Sequence, residues 1–133
     1  MKKYYAVIIL TLLTSLLCSC KEVKSITTTT IVDSTQDTVL GKIVFIELGS
    51  VNCIPCKAMQ PVMKKIEEKY KDSVQVIFYD VWTEKDKPMA EKYQIQVIPT
   101  QVFLDKDGKE FFRHQGFFPY EEIEKILNQK GAK

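Results

Sequence analysis

The chain has 133 residues, four cysteines, one histidine and a formal net charge of +2. That length suits one small domain and little more, and nineteen basic residues against seventeen acidic ones, without a basic run, exclude the electrostatic footprint of a nucleic-acid binder. No internal repeat is evident, and the charges over residues 64–72 alternate in sign as on a solvated helix face.

Residues 1–19 read as an export signal. Lys2 and Lys3 form a basic start, and an uncharged, mostly apolar stretch over 4–17 follows, too short at its strongest for a membrane span. It ends at Leu17, Cys18, Ser19 and Cys20, which resembles the bacterial lipobox. The resemblance implies a lipid anchor on Cys20 as the mature N-terminus, with Cys18 leaving in the signal although a smaller residue is commoner there. Several acyl chains would then hold the protein on the membrane. Without Lys2 and Lys3 the basic and acidic residues are equal at seventeen each, so the mature chain is formally neutral. Residues 20–38 are rich in Thr and Ser and suit a flexible tether, with an added edge strand over 26–32 as the alternative. The folded unit is expected over 39–133.

Residues 42–48 form a short β-branched apolar run, the pattern of a strand buried on both faces. Residues 54–70 predict a helix with Val62, Ile66 and Tyr70 on its inner face, kinked by Pro61. A strand over 74–79 and a short helix over 88–93 follow, and Trp82 between them reads as packing. The turn signal Asp105-Lys106-Asp107-Gly108 joins strands 100–104 and 110–114 into a hairpin. An amphipathic helix over 121–128, with Ile123, Ile126 and Leu127 on one side, closes the chain. Phe111, Phe112, Phe117 and Phe118 divide between core and surface, and His114 reads as a surface residue with no chemical role. The order strand, helix, strand, helix, strand, strand, helix predicts an α/β domain, a mixed sheet with helices on both faces.

Once the signal and its processing site are set aside, Cys53 and Cys56 are the remaining cysteines. They stand between an apolar strand and a helix start, where unpaired backbone N–H groups favour a thiolate. A disulfide across so short a loop removes little unfolded-state entropy, so a redox role explains the pair better than a structural staple. A closed zinc site needs four ligands, and haem attachment needs a histidine where this chain has Lys57; neither metal nor cofactor is expected.

The chain from about 42 to 128 resembles the thioredoxin family. The pair Cys53-Ile54-Pro55-Cys56 follows the first core strand, Lys57 and Pro61 stand as in the family's active-site helix, Ile98-Pro99-Thr100 resembles its cis-proline segment, and Gly116 matches a glycine after the last strand. The resemblance implies a thioredoxin fold in which Cys53 attacks a substrate disulfide and Cys56 resolves the mixed disulfide. It also implies a cis bond before Pro99, opposite the cysteines. Glu47 occupies the place of a buried acid in the family; the functional reading is a carboxylate of raised pKa that exchanges the proton of Cys56, and the alternative is a solvent-facing glutamate. Asn52 replaces the usual tryptophan and is a candidate N-cap, while Ile54 replaces a common glycine and so alters the tuning of the thiols. Asn52, Ile54, Pro55, Val97, Ile98, Gly116 and Phe117 are the expected substrate-binding residues.

The expected activity is thiol–disulfide exchange in the bacterial cell envelope, on the periplasmic side if the cell is Gram-negative. Reduction of disulfide-bearing envelope proteins with electrons from a membrane thiol carrier is preferred. Disulfide oxidation or isomerisation is the alternative within the fold, and an anchored, non-catalytic adaptor is the alternative of another class. The domain is expected to act as a monomer.

Overall fold

A computed structural model describes residues 41–133. The signal at 1–19, the anchor Cys20, the tether at 20–38 with its alternative strand, and the boundary at 39 lie outside the described residues. The elements are β1 (Ile43–Gly49), α1 (Ile54–Lys69), β2 (Val74–Asp80), α2 (Lys87–Lys92), β3 (Thr100–Leu104), β4 (Glu110–Gln115) and α3 (Tyr120–Gln129). This is the order read from the sequence.

One sheet runs β2-β1-β3-β4, with β1 parallel to β2 and antiparallel to β3, and β3 antiparallel to β4. A helical crossover is what a parallel neighbour requires, and α1 supplies it between β1 and β2. Central β1 is buried along its whole length and divides its side chains between two cores by the two-residue period of a strand. Ile43 and Phe45 join Met59, Met63 and Ile66 of α1 and Ile123 and Leu127 of α3. Val44, Ile46 and Leu48 face the other way, onto Val102 and Leu104, with Met89 of α2 and Tyr93 just after it against them. Phe45 and Phe103 are register partners on β1 and β3, and their rings stack with centroids 4.8 Å apart. The architecture is the mixed sheet with helices on both faces that was expected.

Three readings change. The buried stripe of α1 is Cys56, Met59, Met63 and Ile66, while Val62 is half-buried. Ile66 and, just past the helix, Tyr70 are buried in this core as expected, and burial of Cys56 puts Met63 rather than Val62 fully inward. Trp82 is 62% exposed because β2 ends at Asp80 and Val81 takes the inward position; an Asp80 oxygen accepts the Trp82 N–H at 3.2 Å. His114 is half-buried, its ring stacked on Phe118 with centroids 4.1 Å apart. The phenylalanines divide as expected, with Phe118 buried, Phe111 and Phe112 half-buried and Phe117 exposed. Helix α1 runs as one element through Pro61.

In the hairpin turn, Asp105 Oδ1 accepts from the N–H groups of Asp107 and Lys109, and Gly108 takes a φ of +78°. That pairing of an aspartate with a left-handed glycine is what the turn chemistry demands.

Candidate active site

The site grows out of the connection between β1 and α1. Ser50 organises it: its carbonyl accepts from Cys53 N–H at 3.1 Å and its hydroxyl accepts from Asn52 N–H at 3.2 Å. From the end of β2, the Asp80 carboxylate accepts the Val51 N–H at 3.3 Å. The turn is thereby held at both sides before the helix begins.

Cys53, not Asn52, is the N-cap of α1. Its backbone is extended, at φ −91° and ψ 125°, and helical bonding starts with Lys57 N–H donating to the Cys53 carbonyl. Asn52 is not the cap because it lies one residue too early, the first helical carbonyl acceptor being that of Cys53. The Cys53 sulfur instead accepts the Cys56 N–H at 3.3 Å, which is the capping bond that a serine oxygen usually makes. In the reduced protein the same donor and the helix dipole stabilise a thiolate at this position.

Cys53 and Cys56 are joined by a disulfide, with Cα atoms 5.2 Å apart. Their environments differ. Cys53 is 8% exposed, beside Ile54 at 83%, whereas Cys56 is 1% exposed and lies over Gly49. A Cβ on Gly49 would stand 3.1 Å from the Cys56 sulfur, so the glycine is what lets the buried sulfur approach the strand.

Glu47 lies two residues before Gly49, on the same face of β1 and about 7 Å back along the strand. It is fully buried, which removes the solvent-facing alternative. Its register partner on β3 is Gln101, also fully buried, and the opposing residue on β2 is Phe78. Gln101 Nε2 donates to Glu47 Oε2 at 2.9 Å and to the Gly116 carbonyl at 3.1 Å. Burial pushes the Glu47 carboxyl up from 4.5 to about 8, and the bond from Gln101 offsets part of that rise. A group titrating there can exchange protons near neutral pH.

The Ile98–Pro99 bond is cis. Thr100 pairs with Leu48 on β1, so Pro99 emerges across from the end of β1 where the cysteine turn starts. Two hydrogen bonds hold this segment: Thr100 Oγ donates to the Val97 carbonyl at 2.7 Å, and Gly116 N–H donates to the Pro99 carbonyl at 2.8 Å. Gly116 adopts φ +91°, a conformation suited to glycine. Of the residues expected to bind substrate, Asn52, Ile54, Pro55, Val97 and Phe117 are exposed, and Ile98 and Gly116 are half-buried. Trp82 joins Val97 and Ile98 in lining a hollow of about 260 Å³ beside the proline segment.

Sequence reasoning passed over Gly49, Ser50, Asp80 and Gln101. Only Gln101 carried a usable signal, since it is a polar residue in an otherwise apolar strand, as Glu47 is. Pairing the two required the β1–β3 register.

A family model described as a thioredoxin-like domain matches residues 33–131. Thioredoxin Y2 of Arabidopsis thaliana chloroplasts is 37% identical over 93 residues, which cover 69% of this chain and 54% of that protein. Thioredoxin of Bacillus subtilis strain 168 is 31% identical over 77 residues, covering 58% of this chain and 71% of that one. A crystal structure of chloroplastic thioredoxin z superimposes with a TM-score of 0.60 at 24% identity, over 68% of this chain and 79% of that chain, a likeness of fold. The chain spans about half the length of the first curated relatives it matches.

Proposed function

The chain belongs to the thioredoxin-like domain family, and from that premise we propose that it is a thiol–disulfide oxidoreductase of the bacterial envelope that reduces disulfides in exported proteins. The observation that carries the reading is the asymmetry of the pair, with Cys53 8% exposed as the N-cap of a helix, next to the exposed Ile54, and Cys56 1% exposed over Gly49, on the strand that also carries the buried Glu47 carboxyl.

In the reduced enzyme the Cys53 thiolate attacks one sulfur of a client disulfide. A Cys53–client bond forms, the client's own sulfur–sulfur bond breaks, and the departing client thiolate takes a proton from water. Where Glu47 is ionised, Cys56 then gives its proton to that carboxylate and attacks the Cys53 sulfur. The second client thiolate leaves and is protonated, and two electrons have passed from the enzyme to the client. The backbone beside cis-Pro99 suits pairing with an extended client segment, with Ile54, Val97 and Phe117 as apolar neighbours. Electrons return from a membrane thiol carrier, which reduces the Cys53–Cys56 disulfide by the reverse exchange.

The location rests on the segment before the domain. Lys2, Lys3 and the apolar run after them support export, and Cys20 supports a lipid anchor. Cys20→Ser is expected to move the protein from the membrane to the soluble envelope fraction on cell fractionation while leaving thiol exchange intact.

The decisive experiment is the equilibrium reduction potential of the Cys53–Cys56 pair, titrated against glutathione and dithiothreitol. A value near that of thioredoxin, about −270 mV, supports the reductase; a value near −120 mV reverses the assignment to disulfide formation. Failure to turn over any disulfide with an electron donor present leaves the adaptor reading.

A further inference from the structure

We infer that Gln101 is a positioning residue for Glu47, fixing which carboxyl oxygen carries the exchangeable proton and tying that carboxyl to the Gly116 rim of the client groove. The significance for catalysis rests on the proposed reductase reading; the hold on the carboxyl does not.

The Gly116 carbonyl sets the orientation of the Gln101 amide. A carbonyl oxygen can only accept, and it lies 3.1 Å from Gln101 Nε2, so it fixes which way the Gln101 amide is turned. The nitrogen must then also face Glu47, 2.9 Å from Oε2. Glu47 Oε2 is thereby committed to accepting. When Glu47 is neutral, its proton belongs on Oε1, which has no hydrogen-bond partner among the protein atoms. One amide nitrogen uses its two hydrogens on two acceptors, one inside the core and one at the groove, where Gly116 also binds the Pro99 carbonyl.

No other side chain of the described residues hydrogen-bonds to Glu47. On this face of the sheet, β2 presents Phe78, α1 presents Cys56 and Met59, α3 presents Ile123 and Leu127, and β4 carries His114 as the register partner of Gln101. The other groups that titrate here are therefore the two cysteines, once reduced, and His114. Without Gln101, Glu47 would keep its burial and lose its one donor, so its neutral form would be favoured further.

The test uses Gln101→Met, which keeps the length and removes the donor, in protein carrying carbon-13 at the glutamate carboxyls. The Glu47 titration midpoint, followed by NMR in the oxidised protein, is expected to move to higher pH by roughly half a unit or more, as loss of a hydrogen bond to a charged group implies. In the reduced protein, stopped-flow resolution of a Cys53 mixed disulfide at pH 7 is expected to slow about three-fold or more, while the first attack by Cys53 keeps its rate. The pH limb that moves must vanish in Glu47→Gln and persist in His114→Gln. An unmoved midpoint, or equal slowing of both steps, overturns the inference. If Gln101→Met fails to fold, the wild-type protein decides: the Gln101 side-chain nitrogen resonance must shift with the Glu47 titration, and a resonance indifferent to it overturns the inference. A moved midpoint in a protein that reduces no disulfide would sink the reductase reading and leave the positioning role standing.

Discussion

Glu47 is a fully buried carboxyl whose burial favours its neutral form. Its carboxyl ionises with a midpoint of about 8 in the folded protein, while in the unfolded chain it ionises near 4.5. Between those values the unfolded state binds fewer protons, so stability falls as pH rises. The contribution is fully present below about 4.5, declines through the interval and is flat above about 8. The size of the shift sets an upper limit of about 5 kcal/mol for that decline. Glu47→Gln mimics the neutral acid and should abolish the slope: the variant is expected to match the oxidised wild type at pH 4 and exceed it by several kcal/mol at pH 8.5. Urea unfolding at both pH values measures this directly, and parallel pH profiles for the two proteins would show that the carboxyl is not held neutral. The same substitution should slow resolution by Cys56, so the position exchanges stability for proton transfer.

At the scale of elements, the site depends on how closely α1 can settle on β1. Gly49 is the contact point, and a methyl group there would press on a sulfur that the disulfide prevents from swinging aside. Gly49→Ala is therefore expected to destabilise the oxidised protein by about 1–3 kcal/mol, the range for overpacking a filled core, as read from thermal or urea unfolding. Further along the same helix face, Met59 is fully buried and its sulfur accepts the Phe118 N–H at 3.2 Å, so Met59→Ala should cost about 2–5 kcal/mol. These two contacts also mark where the sequence stopped being legible. Strand runs, the hairpin turn, the cysteine spacing and the Ile98-Pro99-Thr100 segment depend on local pattern, and their positions agree with the structure within a residue or so. In α1, pattern placed Ile66 and Tyr70 inward but could not choose between Val62 and Met63, both apolar, where the inward placement of Cys56 decides for Met63. Asn52 looked like a cap by residue type, yet a cap is defined by where helical bonding begins, and that point is Cys53. Gln101 and Glu47 each stand out as polar in an apolar strand, but their partnership is a fact of register across 54 positions of chain. Trp82 was read as packing, and it is exposed because the strand ends at Asp80 and Val81 takes the inward position.

For the molecule as a whole, redox state and stability are two readings of one thermodynamic cycle. Oxidising the pair in the folded and unfolded chain and unfolding each form closes a square, so oxidised stability minus reduced stability equals nF times the unfolded potential minus the folded potential. The fold bears on the sign. It buries Cys56 at 1% exposure and places a carboxyl on the same strand face, and both features work against a Cys56 thiolate while accommodating an uncharged disulfide. The thiolate-stabilising contact at Cys53, the Cys56 N–H, acts on one sulfur alone. A strong oxidant has the opposite balance, because its reduced form is the stabilised one. The oxidised domain is therefore expected to be the more stable form, with each 1.4 kcal/mol of difference corresponding to about 30 mV by which the folded pair is more reducing than the same pair in the unfolded chain. Urea unfolding of the two forms at pH 7, with equal slopes, gives the difference without a redox buffer, and the folded and unfolded potentials from thiol titration must reproduce it. A reduced form more stable than the oxidised one would mean that Cys53 dominates the balance, and the protein would then be built to donate disulfides.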